Sequence, residues 1–372
     1  AGGRGRDLRS DGSSMRVLIT GVCGFVGSAL AQGLRTGWPG DSLQLLGIDN
    51  LSRSGSERNR LALRRWGIEL VHGDLRLPSD LESLGQIDWV VDAAALPSVM
   101  AGVGVGPTSR QVVEHNLLST LNLLELCKVR QAGLILLSTS RVYSVSALAS
   151  IQVEESARAF ALRRDVPQPN GLSLEGIAEE FPTAAPVSLY GATKLASEQL
   201  ALEYGAAFGF PVRIDRCGVL AGAGQFGRPD QGILAFWINS WLRGRPLRYV
   251  GFGGRGLQVR DFLHPRDLVP LLHRQLSETE DAQGIALNIG GGMANALSLA
   301  QISAWCEDRF GPRTISSDNA ARHFDAPWIV LNSARAEHCW GWRPQTSADA
   351  ILAEVADHAE QHPEWLEVSC GA

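Results

Sequence analysis

The sequence predicts an α/β protein, a doubly wound parallel sheet with helices on both faces, followed by a smaller mixed α/β unit. Three observations carry this prediction. Short apolar, β-prone runs alternate with helix-compatible segments from Val17 onward. The first run leads into a glycine-rich turn and then an apolar helix-compatible stretch. The alternation stops after the sixth run, where Trp, Gly and Arg become denser through residues 225–260. A chain of 372 residues has room for one large or two modest domains.

The elements follow in order. Val17–Thr20 reads as a strand running into Gly21, Gly24 and Gly27, with Phe25 and Val26 inside the turn. Strand, tight turn and helix in this order open a Rossmann-type dinucleotide-binding unit. Glycine at 21 lets the chain bend, at 24 lets backbone N–H groups approach a pyrophosphate, and at 27 lets helix and sheet pack closely. The helix N-terminus offers free N–H donors to the phosphates. The spacing is G-x-x-G-x-x-G, wider than the common G-x-G-x-x-G.

The second run, Leu43–Ile48, closes on Asp49 and Asn50, about twenty residues beyond Gly27. Asp49 is expected to bond the ribose hydroxyls of the adenosine. Its charge repels a 2′-phosphate, which favours NAD over NADP. Arg53 and Arg58 stand just beyond it and offer a competing phosphate site; Arg53 is included among the cofactor-binding residues. The third run, Ile68–His72, is followed by Asp74 and Leu75, at the edge expected for the adenine. The fourth, Trp89–Val91, is followed by Ala93 and Ala94, a small-residue turn that lets a cofactor approach the backbone. Residues 107–130 read as one long helix, with Val112, Leu117, Leu121 and Leu124 at helical spacing. Leu134–Leu137 and Val212–Asp215 are the fifth and sixth strands, and Tyr190–Tyr204 is a helix between them. Residues 144–186 carry Pro167, Pro169, Gly171, Pro182 and Pro186 without a period, and are expected to form an irregular loop over a cleft. Residues 1–14 are Gly-, Arg- and Ser-rich and are expected to be a flexible tail, with Met15 as the natural start.

The bulk properties exclude several classes. The net charge of −5 argues against nucleic-acid binding by a broad basic surface. Six scattered cysteines without a C-x-x-C pair indicate neither a disulfide framework nor a metal site, and suit a reducing cytoplasm. No apolar run is long enough to span a membrane.

The chemistry sits in two clusters. Ser138-Thr139-Ser140-Arg141 follows the fifth strand, and strand ends are where parallel α/β sheets bind ligands. Tyr190 and Lys194 lie four residues apart at a helix start and share one face. An ammonium beside a phenol favours the phenolate, so a group of ordinary pKa near 10 becomes usable as a base near neutral pH. Thr139 is placed to hold the same substrate oxygen.

Together these motifs resemble the extended short-chain dehydrogenase/reductases, in the branch of NAD-dependent sugar-nucleotide epimerases and dehydratases. The resemblance runs from about Met15 to about Val355. It implies that Gly21, Gly24 and Gly27 form the nucleotide loop, Asp49 and Asn50 the ribose pair, and Asp74-Leu75 the adenine edge. It implies that Asn116 steadies the site near the cofactor, and that Thr139, Tyr190 and Lys194 are catalytic, the last two also touching NAD. Arg260, in the run Gln258 to His264, is implied to bind the substrate's diphosphate, a charge-assisted contact. Thr139 and Arg141, with Gln225, complete the implied substrate wall.

Within the branch, 4,6-dehydratases carry two carboxylates after the catalytic Thr. Ser140 and Arg141 stand there instead, and elimination then lacks its proton shuttle. The runs Asp49 to Glu57, Pro169-Asn170-Gly171, Gln225-Phe226 and Asp230-Gln231-Gly232 are similar to the CDP-paratose (tyvelose) 2-epimerases. There are departures: Asp92 stands where the family often has His, Val219 near an expected Asn or Ser, and Leu189 where Pro precedes the Tyr. The stretch Ala221 to Gln225 lacks an expected Arg.

The resemblance implies an NAD-dependent epimerase of a nucleotide-linked sugar, acting through a transient keto-sugar. Inversion at C2 of a CDP-linked deoxysugar is favoured. A UDP-sugar 4-epimerase and a net NAD(P)-dependent oxidoreductase or dehydratase are the alternatives. A homodimer through helices 107–130 and 190–204 is implied. Residues 15–216 are expected to bind NAD, and residues 217–372 mostly the substrate.

Overall fold

The computed structural model describes residues 14–40, 42–103, 106–278 and 284–370. The expected tail, apart from Ser14, lies outside the described residues. Seven parallel strands form the central sheet: β1 (Met15–Thr20), β2 (Leu43–Asp49), β3 (Glu69–His72), β4 (Trp89–Asp92), β5 (Gly133–Thr139), β6 (Val212–Cys217) and β7 (Ala286–Ile289). Their order is β7-β6-β5-β4-β1-β2-β3.

Both faces of this sheet are buried, which is why its strands read as continuous apolar runs. Side chains alternate across it. Val17, Ile19, Val91 and Ile135 enter one core with Leu30 and Leu34 of the helix Phe25–Gly37 and Leu271 and Leu272 of the helix Leu268–Ser277. Leu18, Val90, Leu134 and Leu136 enter the opposite core with Leu123 and Leu124 of the helix Ser119–Arg130 and Ala201 of the helix Ser188–Phe208. Strand order reverses between β1 and β4, so a crevice opens beyond their carboxyl ends.

The predicted helix over 107–130 is one helical rod with a wider π-turn at Glu114–Leu118 between Ser109–Val113 and Ser119–Arg130. The segment 144–186 differs from expectation. It holds a short helix, Val145–Ala149, and the hairpins Val153–Ser156/Ala159–Leu162 and Leu172–Ser173/Gly176–Ile177. It does not form the cleft wall. Tyr143, Leu148, Ile151, Ile177 and Phe181 bury against Trp328 to Leu331, so the segment is pinned to the C-terminal part by its own small core.

The C-terminal part has a second, mixed sheet, in which Val259–Leu263 pairs with Val219–Leu220, Ala296–Ser298 and Trp328–Ile329. The helices Ile233–Leu242, Leu299–Phe310 and Ala348–Gln361 pack there around Trp237 and Trp241. The chain crosses back once: β7 lies beyond residue 217 yet completes the first sheet. Among the described residues no helix is long and apolar enough to cross a membrane.

Candidate active site

One cavity of about 1160 Å³ runs along the carboxyl ends of the central strands and under the C-terminal part. Its floor at the cofactor end is the glycine turn. Gly21 has φ of +59°, and a Cβ there would lie 2.9 Å from the Ala94 backbone. At Gly27 a Cβ would lie 2.3 Å from the Gly21 carbonyl oxygen. Side chains at either position would push the turn off the sheet. Gly24 caps the helix Phe25–Gly37 without any side-chain hydrogen bond, so the first-turn N–H groups stay available to an anion.

Asp49 sits at the end of β2, where Cys23 N–H donates to Oδ2 at 2.9 Å and Leu51 N–H to Oδ1 at 2.8 Å. Burial raises its carboxyl above the usual range and these donors oppose the rise. Asp74 is held by Arg76, at 2.9 and 2.6 Å, and by the Asn50 amide at 3.2 Å. Arg76 keeps its carboxyl well below the usual range. Arg53 donates to Gln231 Oε1 at 2.9 Å and to the Phe226 carbonyl at 3.3 Å, and its guanidinium lies over the Phe226 ring. Ser98 donates to Asp230 at 2.7 Å. Loop 225–232 thus straps the C-terminal part to both rims of the cofactor end.

At the chemical end, Thr139 terminates β5 and Tyr190 lies in the first turn of the helix Ser188–Phe208. The Thr139 hydroxyl stands beside the Tyr190 phenol. Burial pushes the phenol up to about 12 in this pocket, against Thr139 and the Arg141 guanidinium, which draw it down. The sequence predicts a lowered phenol pKa; burial gives the opposite sign because desolvation outweighs the neighbours. Lys194 is 2% exposed, and burial lowers its pKa too. Its ammonium makes no hydrogen bond or ion pair with a described residue. A buried amine left without an acceptor among the described residues, in a fold that also offers a glycine cradle and a strand-end carboxylate, fits the hydroxyl-rich ribose of a dinucleotide.

Every residue assigned to cofactor, substrate or catalysis from the sequence lines this cavity except Lys194 and Asn116, while Arg58, the other half of the competing phosphate site, lies outside it and pairs with Glu364. Lys194 is buried beneath the wall. Asn116 sits in the π-turn and holds the frame: its Oδ1 accepts from Leu96 N–H at 2.8 Å and its amide donates to Thr193 at 3.2 Å. On the substrate wall, Gln225 donates to the Leu220 carbonyl at 2.6 Å while its own Oε1 is buried without a partner. Arg260 is paired with Asp325 at 3.0 Å. The Arg141 guanidinium has no hydrogen-bond partner among the described residues, and burial with Arg260 and Arg322 nearby lowers it to about 9.

Sequence reasoning missed two groups. Arg322 and Asp325 arrive from a loop whose sequence carries no motif. Glu198 accepts two bonds from Arg216 Nε at 3.1 Å and one from Nη2 at 2.7 Å, and also bonds Ser138. Glu198 had a signal: it follows Lys194 by four residues, on the face that carries Tyr190.

Comparison with known proteins agrees with this geometry. The family described as "NAD dependent epimerase/dehydratase family" matches residues 17–290. CDP-paratose 2-epimerase of Salmonella typhi is 31% identical over 350 residues, covering 92% of this chain and 98% of that protein. UDP-glucuronate 4-epimerase 1 of Arabidopsis thaliana is 30% identical, over 92% of this chain and 76% of that protein. A mutant UDP-glucuronic acid 4-epimerase from Bacillus cereus, solved with UDP-4-deoxy-4-fluoro-glucuronic acid and NAD, superposes with a TM-score of 0.76. It is 25% identical and the alignment covers 93% of this chain and 99% of that one. The glycine turn, the strand-end Asp49 and the Thr139–Tyr190–Lys194 set therefore stand in a shared scaffold, and the chain belongs to the NAD-dependent epimerase/dehydratase family.

Proposed function

We propose that the protein inverts one hydroxyl-bearing carbon of a nucleotide-linked sugar by oxidation and return. The observation that carries this is Tyr190 beside Thr139 on the cavity wall, one helical turn before a buried Lys194, with no carboxylate at residues 140 and 141. When bound, NAD supplies the hydride acceptor for the outward half of the reaction and the hydride donor for the return.

Tyr190, as phenolate, takes the proton from the sugar hydroxyl, and Thr139 bonds the same oxygen. Lys194 stabilises the phenolate and holds the nicotinamide ribose. The keto-sugar turns within the cavity and presents its other face. Tyr190 then returns the proton, so the carbon is inverted and the phenolate is restored. Gln225 Oε1 accepts from a sugar hydroxyl, which ends its burial without a partner. Arg260 and Arg322 attract the diphosphate. Asp49 bonds the adenosine ribose, and Asp74 with Leu75 borders the adenine.

The Salmonella typhi relative favours C2 of a CDP-linked deoxysugar as the reacting centre. The Arabidopsis relatives favour C4 of a UDP-linked sugar as the second reading. The protein is proposed to work as a cytoplasmic homodimer. Exposed Val113, Leu118 and Phe208, on the helical rod and on the helix Ser188–Phe208, support pairing through these two elements.

The test is mass spectrometry of small molecules released from denatured protein, together with turnover of CDP-paratose and UDP-glucuronate without added cofactor. Retained NAD and cofactor-independent turnover are expected. A strict requirement for stoichiometric added cofactor overturns the epimerase reading.

A further inference from the structure

The strap of residues 225–232 is anchored on both sides of the glycine turn. Arg53, in the loop after β2, donates to the strap's Gln231 Oε1 at 2.9 Å and to its Phe226 carbonyl at 3.3 Å. Ser98, in the loop after β4, donates to the strap's Asp230 at 2.7 Å. In the sheet β1 lies between β2 and β4, so the turn that follows β1 lies between the two anchors. The strap lines the same cavity as Gly21, Gly24, Gly27 and Asp49. A dinucleotide seated on the turn is therefore crossed by the strap.

The strap is in turn held by the helix Trp365–Cys370, which joins it to the rim of the cofactor end. On the strap side, the Trp365 indole N–H donates to the Gln225 carbonyl at 2.8 Å, and its ring stacks on Phe226 with centroids 5.5 Å apart. Arg228 Nε donates to the Ser369 carbonyl at 3.0 Å. On the rim side, the Ser54 hydroxyl donates to the Val368 carbonyl at 2.7 Å, and Arg58 pairs with Glu364 at 3.0 Å. Gly55 stands where rim, strap and helix meet. Its φ is +88°, and a Cβ there would lie 2.6 Å from Val368 Cγ1 and 2.8 Å from Phe226 Cε1. Trp365 is buried, so its hydrogen bond is made away from competing water.

We propose that the helix Trp365–Cys370 is a latch on the cofactor strap and sets how slowly NAD leaves, with Trp365 as its positioning residue. Release requires the strap to lift, and lifting breaks the bonds of Gln225 and Arg228 to this helix. The latch acts through Gln225, Phe226 and Ser54 rather than through the reacting atoms. It rests on the reading of the glycine turn as the NAD site, and it deepens the oxidation-and-return reading, in which one NAD serves both hydride transfers.

The test exchanges bound NAD for isotopically labelled NAD and follows the bound cofactor by mass spectrometry against time. Trp365→Phe keeps a stacked ring and removes the indole N–H; it is expected to speed the exchange about fivefold. Trp365→Ala removes the ring as well and is expected to speed it about thirtyfold. Ser54→Ala frees the rim side of the latch without entering the aromatic stack. It is expected to act as Trp365→Phe does, which covers failure of the Trp365 variants to fold. Amide hydrogen exchange separates a latch from general loosening. Peptides spanning residues 225–232 are expected to exchange faster in each variant, and those of β1, β5 and β6 at the parent rate. NAD exchange at the parent rate in Ser54→Ala and in every folded Trp365 variant overturns the proposal, and so does faster amide exchange spread over the central sheet. Rapid NAD exchange in the parent overturns the oxidation-and-return reading instead, while the ratio of variant to parent still reads the latch, so the two failures are distinct.

Discussion

The two ends of the cleft are built differently. The cofactor end is local: Gly21 to Gly27, Asp49 and the Ala93–Ala94 turn lie on strands that are neighbours in the sheet, and the ligand groups are largely backbone N–H. The substrate end is assembled from distant segments: Thr139, Tyr190, Gln225, Arg260 and Arg322 come from five separate stretches. The first end tolerates little change of shape because its glycines touch backbone. The second tolerates a change of side chain, because each residue comes from its own stretch of the chain. Departures from the family pattern fall mainly at that end, at Val219 and Ala221 to Gln225. One scaffold can thus keep its cofactor and change its sugar.

The largest effect expected is at the chemical centre. Tyr190→Phe is expected to lower kcat by about 10³-fold with NAD content unchanged, since one positioned acid–base group contributes on that order. Stopped-assay product analysis checks it, and retained turnover would separate chemistry from Tyr190.

Next is the ion pair that ties the helix Ser188–Phe208 to β6. Glu198→Ala leaves Arg216 buried and unpaired and is expected to cost about 3–5 kcal/mol of stability, read as a lowered denaturant midpoint. A midpoint unchanged from the parent would mean that the pair does not hold the catalytic helix to β5 and β6.

A smaller effect is expected at the cofactor end. Asp49→Ala is expected to weaken NAD binding by roughly tenfold and to relax discrimination against NADP, measured by titration of the cofactor-stripped protein. Arg53 is bonded across the strap, and Arg53→Ala is expected to accelerate NAD release more than it alters NADP affinity.

The smallest effect is a pH dependence. Asp215 on β6 is fully buried, and burial pushes it up to about 7. A carboxyl raised on folding is most favourable below its unfolded value of about 4 and loses stability as pH rises through about 7. Asp215→Asn is expected to flatten the fall in Tm across that window; an equal fall in both proteins would assign it elsewhere.

Much of the site was legible because its signals are local. Three glycines at fixed spacing, an acid at a strand end, and Tyr190 and Lys194 on one helix face each follow from backbone geometry within a few residues. The segment 144–186 was not legible. Its prolines and glycines indicate irregularity, but burial of Tyr143 and Phe181 against Trp328 to Leu331 depends on a contact far along the chain. Asp325 escaped notice for the same reason. Its partner, Arg260, is 65 residues away, and no period links them.

The sequence alone therefore determined the doubly wound sheet, the glycine turn that opens it and the placing of Tyr190 and Lys194 on one helix face, because hydrophobic period and residue spacing act locally. Only the tertiary structure decided how their charges are balanced. It buried Lys194 away from any direct partner among the described residues and committed Glu198 to Arg216. Ionisation in a dry interior depends on which charges the fold brings within reach, and that distance is not written in spacing along the chain.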